Sequence, residues 1–296
     1  MKISRRKLLS SLAIGSLLGI AGSYFFINYQ NNHLGLTEIE YSSSRIPPSF
    51  DQFKILHISD LHNKEFGFKQ KELLDLTYRL RPDIIVITGD LIDGLGKTKL
   101  QPALDYIEGA LLMAPIYYVS GNHEYWSKRY SEFKEKLKTL VVDNRKKLFL
   151  LEDKQETITR TGGQIQLCGL SDPLMTKDPD KMLYTLNFFK EEKERRKLPF
   201  SLLLSHRPEL LGLYSKFPID LILSGHAHGG QFRIPLLCPS GLFAPNQGWL
   251  PKYTAGIYHQ NSSSMIVSRG LGNSLIPLRL FNPPEVILIK LCSRQQ

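Results

Sequence analysis

The sequence predicts an α/β fold, a two-sheet αββα sandwich with mixed sheets. Three observations carry this reading. From Phe53 onward, apolar runs of strand length alternate with amphipathic stretches of helical period, the pattern of βαβ units. Helical stretches thin out in the later half, so some strands must pair in a mixed sheet or a second one. Five polar clusters each stand directly after an apolar run: Asp60-Leu61-His62, Gly89-Asp90, Gly121-Asn122-His123-Glu124, Ser205-His206 and Gly225-His226-Ala227-His228-Gly229-Gly230-Gln231. Loops at the carboxyl ends of strands are where α/β sheets hold ligands.

Taken in order, 31–50 reads as a linker, rich in Asn and Ser, with Pro47-Pro48 and no periodicity. Lys54–Ser59 reads as a strand, Lys69–Leu80 as an amphipathic helix and Ile84–Thr88 as a strand. Gln101–Met113 is helical, Ile116–Ser120 a strand and Lys128–Val142 a helix. Leu148–Leu151 and Gln164–Leu170 are strands, with a turn at Gly162-Gly163. Lys181–Lys197, where acids and bases alternate, reads as a solvated helix. Phe200–Ser205, Leu221–Ser224, Met265–Ser268 and Glu285–Leu291 complete the strands. The chain thus divides into an N-terminal segment 1–30, the linker 31–50 and one large domain, 51–292.

The N-terminal segment has the character of an address. Ser4-Arg5-Arg6-Lys7-Leu8-Leu9 resembles a bacterial twin-arginine signal, and no charged residue follows from Leu8 to Thr37. Leu8–Ile27 is mostly apolar, which leaves a cleaved signal peptide and an uncleaved membrane anchor both open. Positive residues ahead of it predict its N-terminus inside, the domain outside, and passage through the twin-arginine export machinery. The expected location is therefore the outer face of the cytoplasmic membrane or the cell envelope.

The net charge is +10, but Lys2, Arg5, Arg6 and Lys7 supply part of it at the extreme N-terminus. No basic stripe with interleaved aromatics is present, so no nucleic-acid partner is expected; small anionic substrates fit better. Cys168, Cys238 and Cys292 are widely spaced and odd in number, which suggests neither a zinc knuckle nor a disulfide framework.

The five clusters hold two aspartates, an asparagine and five of the eight histidines, the residue types of a dinuclear hydrolytic site. One-residue spacing lets Asp60 and His62 point the same way, and His226 and His228 likewise. In this order the clusters resemble the calcineurin-like metallophosphoesterase family over roughly Phe50 to Lys290. The similarity is to its bacterial twin-arginine-exported phosphodiesterase branch, through Gly225–Gln231 and Ser268-Arg269-Gly270-Leu271-Gly272, and, less closely, to UDP-2,3-diacylglucosamine pyrophosphatases. The resemblance implies that Asp60, His62, Asp90 and His228 hold one divalent ion. Asp90, Asn122, His206 and His226 would hold a second, with Asp90 bridging. Mn, Fe, Zn and Co all suit such mixed ligation. It further implies a phosphodiesterase in which a metal-bridging hydroxide attacks phosphorus in line, with His123 as the catalytic group at the leaving oxygen. Hydrolysis of a lipid-linked pyrophosphate is the alternative. A non-catalytic scaffold is a lesser one, disfavoured because every expected ligand is present.

Around this set, Asp93 and Glu124 read either as groups that orient ligands or as exposed loop acids. Gly89 and Gly121 read as tight turns. His33, His57 and His259 read as structural. Arg207, Arg233 and Arg269 are equal candidates to grip a phosphate. The segment 232–258, rich in Pro, Gly and aromatics, reads either as cover for a sheet edge or as an apolar wall beside the metals, suited to a lipid-linked or aromatic leaving group.

Overall fold

Fully apolar runs form the inner strands, and the more polar runs form the edges. In the computed structural model, residues 5–140, 147–175, 178, 180–274 and 276–294 are described. Lys2, Ser4 and Val142 of the segments above lie outside them. The strands are β1 (Gly35–Ser43), β2 (Phe53–Ile58), β3 (Ile84–Thr88), β4 (Ile116–Val119), β5 (Leu148–Leu150), β6 (Lys154–Arg160) and β7 (Gly163–Gly169). They continue with β8 (Ser201–Leu204), β9 (Leu221–Ser224), β10 (Phe243–Ala244), β11 (Gly248–Trp249), β12 (Gly256–Gln260), β13 (Ser263–Val267) and β14 (Glu285–Ser293). The helices are α1 (Arg5–Asn32), α2 (Lys71–Leu80), α3 (Gln101–Ala110), α4 (Asn122–Trp126), α5 (Tyr130–Thr139), α6 (Lys181–Arg195) and α7 (Leu211–Tyr214).

Two six-stranded sheets result, ordered β1-β14-β2-β3-β4-β5 and β12-β13-β9-β8-β7-β6. Both are mixed. β2 to β5 run parallel while β14 opposes β2. β7, β8, β9 and β13 run parallel, flanked by antiparallel β6 and β12. Every residue of β3, β4, β8 and β9 is buried, as parallel strands covered on both faces require. Between the sheets, Ile55, Val86, Val119 and Ile287 meet Leu167, Leu202, Leu204 and Leu223. Leu73 of α2, Tyr106 of α3 and Phe133 of α5 cover the outer face of the first sheet. Leu186 and Phe189 of α6 with Leu211 and Tyr214 of α7 cover the second. This is the αββα layering that the sequence predicts.

Several elements differ from the sequence reading. The expected linker contains β1, which pairs with β14 along its whole length. Its buried positions alternate with exposed ones, Thr37, Ile39 and Tyr41 turning inward and Glu38 and Glu40 outward. Charge on an outer strand protects a sheet edge and masks its apolar period. The polar strand β6, an edge paired with β7, was hidden in the same way. The helices also stop earlier than the period suggests, at Ala110 and Arg195.

The apolar N-terminal stretch lies in α1. Among the described residues, no helix is long and apolar enough to cross a membrane. The carboxyl end of α1 is fastened to the main body. Gln30 Oε1 accepts from the Asn282 amide at 3.2 Å, and Asn31 Oδ1 accepts from Asn273 Nδ2 at 2.8 Å and the Arg279 amide at 3.1 Å.

Candidate metal centre

Parallel strands put their carboxyl ends at one end of each sheet, so the loops after β2, β3, β4, β8 and β9 converge there. The two sheets meet directly at this end, where His206 Nδ1 lies 2.6 Å from the Thr88 carbonyl oxygen. Asp60, His62, Asp90, His226 and His228 all leave their strands with a left-handed backbone, φ between +46° and +66°. Asp and His tolerate that region better than most residues, and such strain persists only where the surroundings over-determine it. Gly89 (φ +91°) and Gly121 lie against each other; a Cβ on Gly121 would strike the Asp90 carboxylate.

Glu124 supplies much of that determination. It is buried and accepts from the amides of Asp90, Gly121 and Leu91, each at 2.8 Å. One carboxylate thereby ties the β3 loop to the β4 loop. Burial, with Asp90 nearby, pushes Glu124 up to about 7.

Among the described residues, three groups of carboxylates and histidines could hold a metal ion: Asp60, His62 and His228; Asp90, His206 and His226; and His62, Asp93 and His123. In the first, His62 Nε2 and His228 Nε2 face each other at 3.2 Å, with Asp60 Oδ1 3.8 Å and 3.6 Å away. In the second, His206 Nε2 lies 3.1 Å from each of Asp90 Oδ2, Asn122 Oδ1 and His226 Nδ1. Asp90 Oδ2 also stands 3.6 Å from His62 Nε2, so one carboxylate oxygen faces both groups. All seven predicted ligands are buried and brought together.

Lone pairs that converge this closely repel unless a proton or a cation lies between them. Burial alone would raise Asp90, but His206, His123 and His62 hold it well below the ordinary carboxylate range. Burial opposes charge on His206, yet Asp90 and Asp60 push it up to about 10. Burial drives His228 down to about 3 and His226 well below its usual value, with His206 and Arg207 adding to the latter shift. Imidazoles, carboxylates and an amide oxygen together are a donor set that first-row divalent ions take. The residues fit the group.

His123 also lies at this centre. Its Nδ1 is 2.8 Å from Asp93 Oδ1, and its Nε2 is 3.2 Å from Ser274 Oγ. A cavity of about 290 Å³ opens over the metal-facing side chains, with Trp126, Leu174 and Pro245 as apolar lining and Arg207 and Asn246 as polar lining.

The profile of the calcineurin-like phosphoesterases matches residues 53–230. The chain belongs to the calcineurin-like phosphoesterase family. It is 32% identical to the metallophosphoesterase YkuE of Bacillus subtilis (strain 168), over 99% of each chain. A transmembrane protein with metallophosphoesterase domain from Bos taurus is 29% identical, over 85% of this chain and 55% of that protein. Among solved structures, TT1561 of Thermus thermophilus covers 74% of this chain and 89% of its own at 12% identity, with a TM-score of 0.48. The chain is a metal-dependent phosphoesterase, a hydrolase.

The remaining sequence candidates in this phosphoesterase now separate. Arg207 lines the cavity, while Arg233 donates to the Pro239 carbonyl and Arg269 pairs with Glu285 at 2.8 Å. Glu124 orients backbone, and Asp93 orients His123. His57 is buried against Thr88, behind the centre and not facing it, while His33 stacks on Tyr29 and His259 contacts Ser264. Cys168 is buried, and burial raises its thiol well above its usual value. Sequence reasoning missed Ser274, Asp172 and Asn246. Only Asn246 carried a signal, since it lies in the unusual segment after His228.

Asp90 and Asp60 favour the protonated form of His206 in the metal-free protein, so coordination through Nε2 should expel a proton. Titrating metal-free protein with Zn²⁺ at about pH 7, in buffers of different ionisation enthalpy, should report about one proton or more released per chain. A binding heat independent of buffer would contradict the assignment.

Proposed function

We propose that this phosphoesterase is a dinuclear phosphodiesterase. In this reading Asp60, His62, Asp90 and His228 hold one divalent ion, and Asp90, Asn122, His206 and His226 hold the second. Ions so held supply Lewis-acid charge to the phosphoryl oxygens and an acidified water. The rest of the reaction falls to the chain's own groups. Asp93 Oδ1, at 2.8 Å from His123 Nδ1 and nearer than the Gly94 amide at 3.1 Å, accepts from Nδ1 when the ring is protonated, which leaves Nε2 turned toward Ser274 and the cavity. From there His123 Nε2–H donates to the oxygen of the departing alcohol, and Asp93 stabilises the positive charge that makes the imidazole an acid.

The observation that carries the diester reading is the apolar wall beside this acid. The Trp126 ring lies 4.9 Å from the His123 ring, and Leu174 and Pro245 share the same cavity. An esterified substituent has a surface to rest on there, whereas a free phosphate monoester would use none of it. Arg207 supports the same choice. Its charge is already matched by Asp172 at 2.6 Å, with Glu209 at 3.5 Å, so little is left for a second phosphate charge.

The test compares bis(4-nitrophenyl) phosphate, 4-nitrophenyl phosphate and a UDP-linked lipid on metal-loaded protein. We expect kcat/KM for the diester to exceed that for the monoester by about tenfold or more, with Trp126→Ala narrowing the gap. UMP release from the lipid as the fastest reaction would favour pyrophosphate hydrolysis instead. His123→Asn should lower kcat by about 10²–10⁴-fold while metal content, read by elemental analysis, stays at the wild-type level. Metal loss equal to that of His226→Ala would remove His123 from its assigned role.

We also propose export to the outer face of the cytoplasmic membrane, with α1 as the attachment. The Arg5-Arg6 pair and the exposed Leu18, Ile20, Tyr24 and Phe25 of α1 support it. Replacing Arg5 and Arg6 with lysine should strand the protein inside cells. An unchanged distribution between inside and outside would count against export.

A further inference from the structure

The hairpin β10–β11 sends one side chain to a histidine of the second donor group, and a chain of hydrogen bonds runs through it whose shortest contacts set its direction. Arg207 has donors and no acceptor. Its Nη1 lies 2.7 Å from Asn246 Oδ1, so Asn246 must present its oxygen, not its amide nitrogen. That same oxygen lies 2.8 Å from His226 Nε2. An oxygen cannot donate, so this contact, far shorter than the 3.5 Å from Arg207 Nη1 to the same nitrogen, places the proton on His226 Nε2. The other ring nitrogen, Nδ1, is then bare, and it is the atom 3.1 Å from His206 Nε2 at the centre of the second donor group.

The relay is anchored at its far end. Asp172 accepts from Arg207 Nε at 2.6 Å and Nη2 at 3.0 Å, a bidentate pair that fixes the guanidinium plane. The pair is buried on both sides. Asn246 itself has a left-handed backbone, φ +58°, which asparagine adopts more readily than most residues. The turn is fastened to the ligand loop, since the Leu242 amide donates to the Gly230 carbonyl at 2.9 Å.

We propose that Asn246 is a positioning residue which, held by Arg207 and Asp172, selects the tautomer of His226 that offers Nδ1 to the second metal ion. This rests on the metal assignment proposed above. A partner to the second nitrogen of a ligating histidine fixes ring orientation and raises ligand basicity, and its loss costs about 10- to 100-fold in metal affinity.

Asn246→Gly is the informative variant, because glycine keeps the left-handed turn and removes only the acceptor. Asn246→Asp keeps both an acceptor oxygen and tolerance of the turn. Calorimetric titration with Zn²⁺ should give two sites in the wild type. In Asn246→Gly one of the two sites should lose about 10- to 100-fold in affinity while the other is unchanged, and Asn246→Asp should restore it. In zinc-loaded protein, the His226 Nε2–H signal in imidazole ¹H–¹⁵N spectra should be present in the wild type and Asn246→Asp and lost to solvent exchange in Asn246→Gly. Wild-type affinity in Asn246→Gly, or equal loss in Asn246→Asp and Asn246→Gly, overturns the proposal. A wild type that binds no zinc overturns the metal assignment itself, which keeps the two failures distinct.

Discussion

Asp90 carries a charge with almost no solvent around it, and a buried charge must be matched by neighbours or be given up. Its Oδ2 faces His206 and His62 from opposite groups, while its Oδ1 accepts from the His123 amide at 2.9 Å. Each of these contacts comes from a different strand end. Displacing this carboxylate would separate the two donor groups, free the helix that begins at Asn122 and leave His206 with an unmatched charge. The rest of the centre is arranged to prevent that.

Sheet topology provides the first constraint. β2, β3 and β4 in one sheet and β8 and β9 in the other end at the same edge of the sandwich, so two rigid layers deliver the ligands. Glu124 provides the second by gathering backbone amides from both the β3 and β4 loops. The segment 269–282 provides a third. The buried Arg279 donates to the carbonyls of Arg269 and Asn282, and Asn282 Nδ2 donates to the His228 carbonyl at 2.7 Å. Gln30 and Asn31 at the end of α1 fasten to this same segment, so the N-terminal helix is joined to the body close behind the ligand loop.

Much of this was legible in the sequence, for a physical reason. Polar residues at the ends of fully buried strands follow uninterrupted apolar runs, and that contrast survives in one dimension, so the strand-end placement of Asp60, Asp90, Asn122, His206 and His226 could be read directly. β1 and β6 could not, because edge strands carry outward charge that erases the apolar signal. Arg207, Arg233 and Arg269 were indistinguishable as letters; Asp172 and the cavity separate them only in three dimensions. Ser274, Asp172 and Asn246 owe their roles entirely to chain segments distant in sequence, and no local pattern marks a residue of that kind. The cap segment was recognisable as unusual, and its turn proves to reach the centre through Asn246 and Pro245.

The proposed dinuclear centre has the Asp90 carboxylate join two metal ions. Anomalous diffraction from crystals of manganese-loaded protein tests this most directly. Two anomalous peaks about 3.5–4 Å apart, with Asp90 between them and both absent in Asp90→Ala, is the predicted result. A single peak, or two peaks that persist unchanged without the Asp90 carboxylate, would contradict it.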